Sequence, residues 1–149
     1  MYPVLIDLEK IKIVVFGGGK IGTRKVQGLV AEGSCPVVIA PEITNQLEIL
    51  FSEGKISWQK RVFQKGDTTD FQMVFICTNQ KEVNQEILEE TSSTQLVNDT
   101  SDKNNSNFYN LALLKQKDFS VAITTHGQSP TRSKAIKNKI KDILEKLPI

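Results

Sequence analysis

The sequence predicts an α/β protein: a parallel sheet with helices on both faces, followed by a β-hairpin and a last helix. Two observations carry that prediction. Short apolar runs of strand length alternate with segments of helical periodicity along most of the chain, the rhythm of a parallel sheet with helical crossovers. The rhythm then breaks at an Asn/Asp/Ser-rich stretch, 98–107 (NDTSDKNNSN), after which two β-like runs follow one another with no helix between them.

Residues 12–16 (KIVVF) form a β-branched run that stops at three glycines, so a strand enters a tight turn there. Ile21, Val26, Leu29 and Val30 lie on one face of a helix ending near Gly33. Residues 36–40 (PVVIA) are a second strand, closed by Pro41. Ile43, Leu47, Leu50 and Phe51 repeat at i, i+4, i+7 and i+8, an amphipathic helix ending at Gly54. Residues 56–60 make a weaker third strand, 73–77 (MVFIC) a buried fourth and 95–98 a fifth. Val83, Ile87 and Leu88 mark the helix between the last two. Residues 108–114 and 119–125, joined by 115–118, read as a hairpin outside the parallel sheet. A helix over 133–147 carries Ile136, Ile140, Ile143, Leu144 and Leu147 on one face.

Gly17, Gly19 and Gly22 fit G-x-G-x-x-G between the first strand and the first helix. The first glycine permits the turn, the second lets a pyrophosphate approach the backbone, and the third lets helix and strand pack closely. With Lys20 and Ile21 they place free N–H groups and a positive helix end at one point, which suits a dinucleotide on a Rossmann-like sheet. The usual carboxylate closing the second strand is displaced here to Glu42, after Pro41. Two readings stay open for Glu42: a ribose hydrogen bond, or a favourable charge at the next helix's N-terminus. No arginine follows directly to hold a 2′-phosphate, which points to NAD over NADP. Thr78 and Asn79 follow the fourth strand, where residues line the ligand crevice of an open parallel sheet or cap the next helix.

Composition narrows the class. At 39% hydrophobic and 24% charged over 149 residues, the chain is globular and long enough for one packed domain with a small appendage. Its apolar runs are too short to cross a bilayer. The start, MYPVLIDLEK, has no basic region or cleavage site of a secretory signal. Cys35 and Cys77 have no C-x-x-C spacing and apolar neighbours, so buried free thiols in a cytoplasmic protein are expected. One histidine excludes a His-rich metal site. A net charge of +2 gives no argument for nucleic acid. The end is locally basic (Arg132, Lys134, Lys137, Lys139, Lys141 and Lys146 against Asp142 and Glu145), as a solvated helix face would be.

Gly17-Gly18-Gly19-Lys20-Ile21-Gly22 with Arg24-Lys25 resembles the precorrin-2 dehydrogenase family, which includes the N-terminal module of bifunctional siroheme synthases. Pro41-Glu42, Cys77-Thr78-Asn79, Asn98 followed ten residues on by Phe108, and Thr124-Thr125-His126-Gly127-Gln128-Ser129-Pro130 extend the likeness in order along the chain. The resemblance implies a Rossmann-like NAD-binding domain over 1–112 and a dimerisation segment over 113–149. It implies a homodimer that oxidises precorrin-2 to sirohydrochlorin in siroheme or cobalamin biosynthesis, with Asn98 among the cofactor residues. The family's small helical third domain would begin near Ile149, so the chain is either a short member or a fragment. The family's catalytic aspartate falls on Ser101, and Asp102 follows; a one-residue shift in this loop is easily absorbed, so the role is expected of Asp102, with Ser101 beside it, the other reading of Asp102 being a solvated loop aspartate. Iron insertion, the family's second activity, is less expected with serine there. His126 stands where the family commonly has glycine and is expected at the surface. Thr125, Ser129 and Arg132, at the start of the last helix, are expected to hold substrate carboxylates. A non-catalytic NAD-sensing module is the rival reading.

Overall fold

In the computed structural model, which describes residues 1–126 and 128–146, the strands are β1 (Ile13–Gly18), β2 (Val37–Ile43), β3 (Ser57–Gln59), β4 (Met73–Ile76) and β5 (Leu96–Asp99). They form one parallel sheet in the order β3-β2-β1-β4-β5. Between them run α1 (Lys20–Ala31), α2 (Asn45–Ser52) and α3 (Lys81–Glu90). The chain reverses direction across the sheet between β1 and β4, and a crevice outside the strand carboxyl ends follows from that switch.

Period-two alternation accounts for the two cores. Ile13, Val15, Val38, Met73 and Phe75 point to the face covered by α1 and α2, with Val26, Leu29 and Leu47. Val14, Phe16, Ile39, Val74 and Ile76 point to the other, with Ile87. Strands covered on both faces must be apolar at every position, and β1 and β4 are. The second face is completed by Phe63 and Phe71 from the crossover between β3 and β4, a segment the sequence patterns left unread. Asp67 pins it, accepting from the Arg61 guanidinium at 2.6 and 2.8 Å and from the Gln64 amide at 2.8 Å.

Four expectations need correction. β1 does not stop before the glycines but runs through Gly17 and Gly18, because Gly18 still pairs with Ile43. β2 does not close at Pro41: between the Phe16–Ile39 and Gly18–Ile43 pairs it uses four steps against two in β1, so it bulges through Pro41 and Glu42. Ile21 is exposed, because at 3.6 residues per turn it stands about 140° round the helix from Val26, while Gly22, Thr23, Val26 and Leu29 are buried. Cys35 is exposed in the turn before β2; only Cys77 is buried.

The chain divides into two compact units, Val4–Phe108, and Tyr109–Ile149 with Met1–Pro3. In the second, β6 (Ala112–Lys115) and β7 (Ser120–Ile123) form an antiparallel hairpin, and α4 spans Pro130–Leu144. Leu114 is buried, Val121 and Ile123 are half-buried, and Leu113 and Ala122 lie paired and exposed on the hairpin's other face. Ile143 is exposed on α4. Gly127 and Leu147 lie outside the described residues.

Candidate functional site

The glycine turn is shaped by contacts that leave room for nothing but hydrogen at three positions. A Cβ on Gly17, whose φ is +104°, would stand 2.6 Å from the Cys77 carbonyl oxygen. One on Gly18 would meet the Glu42 carbonyl at 2.4 Å, and one on Gly22 the Gly17 carbonyl at 2.0 Å. Gly19 differs: a Cβ there meets no protein atom within 4 Å. The chain therefore keeps an open approach to the backbone at the N-cap of α1. The first helical turn offers its free amides there. An open, side-chain-free approach to helix-end donors fits the pyrophosphate of a dinucleotide. Gly17, Gly19, Lys20, Ile21 and Gly22 are the residues that would hold it. Thr23 steadies the turn, bonding the Gly19 carbonyl at 2.9 Å and the Thr44 hydroxyl at 2.7 Å.

Pro41 and Glu42 are exposed on the β2 bulge. This displaces the carboxylate along the chain without removing it from the strand's end. Thr78 sits just past β4; its hydroxyl accepts from the Gln80 amide at 3.2 Å and donates to Asn84 Oδ1 at 2.5 Å. Asn79 is exposed beside it. Asn98 is buried in β5 and donates to the Phe108 carbonyl at 3.0 Å, tying the strand to the residue ten positions on. Phe108 packs edge-on to Phe75, and Lys25 Nζ lies 5.3 Å from the Phe75 ring centre. Burial lowers the Lys25 pKa. Burial also pushes the neighbouring Cys77 thiol up to about 11, so it is an unreactive thiol at neutral pH.

Beyond β5 the loop closes around a cavity of about 280 Å³ lined by Lys81, Asn84, Asp99, Ser101, Asp102 and Asn105, among others. Its volume suits an edge or a side chain of a large ligand, not a whole macrocycle. Ser101 and Asp102 thus lie side by side at the crevice. Asp102 is exposed and accepts from the Asn104 amide at 2.9 Å, capping a single 3-10 turn at Lys103–Asn105. Asp99, in a stretch whose composition predicts only a polar loop, is the last residue of β5 and is buried. Its Oδ1 accepts from the Ser101 amide at 2.8 Å and the Ser101 hydroxyl at 2.6 Å, and its Oδ2 from Asn105 at 2.9 Å. Burial works against the charge, but these hydrogen bonds outweigh it and hold the carboxyl below its ordinary pKa. Nothing in the sequence separates Asp99 from Asp102, the other carboxylate of that stretch.

Thr125, Ser129 and Arg132 belong to the second unit and meet one another at the start of α4. The Thr125 hydroxyl donates to the Ser129 carbonyl and accepts from the Ser129 amide, both at 3.0 Å. Ser129 caps the helix by accepting from the Arg132 amide at 3.2 Å. Arg132 and His126 are exposed, His126 with a φ of 54° in the left-handed region.

Comparison with known proteins agrees with this geometry. Residues 4–112 match the NAD_binding_7 family of NAD(P)-binding domains. The chain is 30% identical over 145 residues to the precorrin-2 dehydrogenase of Bacillus subtilis, covering 97% of this chain and 90% of that protein. It is 29% identical over 140 residues to the precorrin-2 dehydrogenase of Priestia megaterium, covering 94% and 69%. A siroheme synthase of Actinobacillus pleuropneumoniae is 25% identical over 143 residues, 95% of this chain and 29% of that longer protein. Among solved structures, SirC, a precorrin-2 dehydrogenase, matches with a TM-score of 0.87 at 29% identity, over 96% of this chain and 71% of that one. A likeness that runs through the glycine turn, the sheet, the hairpin and the last helix alike has one reading: the chain belongs to the precorrin-2 dehydrogenase family.

Proposed function

We propose that this chain catalyses the NAD-dependent oxidation of precorrin-2 to sirohydrochlorin, in siroheme biosynthesis. The observation that carries the reading is the open approach at Gly19 on a chain that matches precorrin-2 dehydrogenases along nearly its whole length. NAD supplies a hydride acceptor at the nicotinamide C4. The chain's part is to bind, orient and balance charge. The amides of Gly19, Lys20 and Ile21 hold the pyrophosphate, and Glu42 reaches the adenosine ribose. Thr78, Asn79 and Asn98 shape the crevice beyond β4 and β5. Ser101 and Asp102 face the reacting edge of the macrocycle, where positive charge develops as hydride departs.

Precorrin-2 carries many carboxylates, and Arg132 with the hydroxyl of Ser129 is suited to hold them, Thr125 fixing the turn that presents both. The hairpin's exposed Leu113 and Ala122 and the exposed Ile143 suit burial against a second copy, so the active form is a homodimer. Sedimentation at micromolar concentration tests it: a dimer is expected, and a monomer contradicts it. A reaction between NAD and a biosynthetic tetrapyrrole suits a cytoplasmic protein. Among the described residues no helix is long and apolar enough to cross a membrane. The activity is tested by supplying enzymatically made precorrin-2 and NAD without oxygen and following NADH. Formation of NADH with sirohydrochlorin supports the reading; NAD binding without any turnover contradicts it.

A further inference from the structure

The hydrogen bonds around Ser101 assign it a direction. Asn84 is buried at the start of α3, and its Oδ1 takes the Thr78 hydroxyl at 2.5 Å. That contact orients the amide so that Nδ2 faces the Thr78 carbonyl at 3.2 Å and the Ser101 hydroxyl at 3.3 Å. Ser101 therefore accepts from Asn84. On its other side Ser101 lies 2.6 Å from Asp99 Oδ1, an ionised carboxylate with no hydrogen to give, so the serine donates its only hydrogen there. One lone pair of the exposed Ser101 oxygen remains, directed to neither partner, on a residue lining the 280 Å³ cavity. This hydroxyl can only accept from a ligand. It presents to the crevice what a carboxylate would present, with the negative charge set one hydrogen bond behind it.

We propose that Ser101 is the catalytic acceptor of this enzyme and that Asp99 is the positioning residue that makes it one. The proposal rests on the functional reading above. Two hydrogens leave precorrin-2. One departs as hydride, its C–H bonding pair going to NAD, which is reduced to NADH. The macrocycle, short of that pair, becomes cationic and acidifies a ring N–H. That N–H bond breaks with its electrons kept by the ring. The proton passes to Ser101 Oγ as the serine's own hydrogen passes to Asp99 Oδ1, which later returns it to water. Before transfer, the buried anion stabilises the developing positive charge through the polarised hydroxyl. Asp102 lies beside this pair as a second, solvated charge.

The test compares folded variants in the precorrin-2 assay, with NAD affinity measured separately by calorimetry. Asp99→Asn should lower kcat by about 100-fold, the scale of a lost proton acceptor or charge stabiliser, with NAD affinity and KM little changed. Ser101→Ala, which leaves Asp99 its other donors, should lose a similar factor, and Ser101→Thr, which keeps the hydroxyl, should retain most activity. The discriminating variant is the double change Asp99→Asn with Ser101→Asp, which moves the carboxylate forward by one hydrogen bond. It should recover activity to within about tenfold of the wild type. A merely structural role for Asp99 predicts no such recovery. Should Asp99→Asn not fold, the Ser101 variants decide alone. Full kcat in Asp99→Asn or Ser101→Ala, or a double variant no better than Asp99→Asn, overturns the proposal while an active wild type leaves the functional reading standing. A wild type that binds NAD but leaves precorrin-2 untouched overturns the functional reading and this proposal with it.

Discussion

The second glycine of the turn offers a perturbation that separates binding from folding. Gly19 is the N-cap of α1, with φ −78° and ψ −169°, extended backbone that any residue adopts. A Cβ placed on it meets no protein atom within 4 Å. Gly19→Val should therefore leave the protein folded, at a cost of about 1 kcal/mol for valine at an N-cap that favours glycine. The same side chain fills the approach to the helix-end amides. If it displaces the pyrophosphate enough to lose two charge-assisted hydrogen bonds at about 1.5 kcal/mol each, the loss is about 3 kcal/mol. That weakens the NAD Kd by about 150-fold. Calorimetric titration with NAD, beside a thermal melt of the free protein, measures both effects. A folded Gly19→Val that binds NAD as tightly as the wild type would refute the assignment of the turn. So would a variant that loses binding only because it unfolds.

Other perturbations read different parts of the account. Gly22→Ala should behave in the opposite way from Gly19→Val: its Cβ would stand 2.0 Å from the Gly17 carbonyl, so the melting temperature should fall sharply, and an unshifted melt contradicts the packing described. Asp99 and Asp67 both have pKa values below the ordinary 3.8, Asp67 chiefly through its hydrogen bond to Arg61, Asp99 because donors outweigh burial. Their stabilisation is thus complete above the unfolded carboxylate value and is lost as pH falls through the lower folded values. Urea midpoints should drop on acidification below about pH 4, more weakly in Asp99→Asn, and an unaltered slope in that variant contradicts the shift. Arg132→Ala should raise the KM for precorrin-2 more than it lowers kcat, because it removes binding shared by ground and transition states; a pure kcat effect would move Arg132 into the chemistry.

Much of the fold was legible because strands covered on both faces leave unbroken apolar runs, as in 73–77, and helices leave a repeat, as in Val83, Ile87 and Leu88. Where local pattern and tertiary contact diverge, the pattern misleads. Pro41 reads as a stop, yet β2 resumes pairing at Ile43 because Gly18 presents bare backbone to it. Ile21 counts as apolar in the pattern of α1, but it precedes Val26 by five residues, about 140° round the helix, and so faces away from the core that Gly22, Thr23, Val26 and Leu29 enter. Cys35 has apolar neighbours in sequence and lies in an exposed turn in space. The crossover after β3 has neither period, because a hydrogen-bonded loop around Asp67 holds Phe63 and Phe71 in place. In the site, the glycine turn was legible from its spacing together with its place between a strand and a helix, since a tight turn and a close approach demand glycine. Asp99 was not, because a loop of Asn, Asp and Ser gives no sign of which carboxylate is buried and which, like Asp102, caps a turn in solvent.

The stoichiometry of the reaction is the decisive measurement for this enzyme. Purified protein, excess NAD and a known amount of precorrin-2 are mixed without oxygen, and NADH and sirohydrochlorin are followed together by absorbance. Both should appear at the same rate, one NADH for each macrocycle oxidised, and Gly19→Val should need about 150-fold more NAD to reach that rate. Sirohydrochlorin appearing no faster than in protein-free controls, or appearing without NADH, would contradict the proposed reaction.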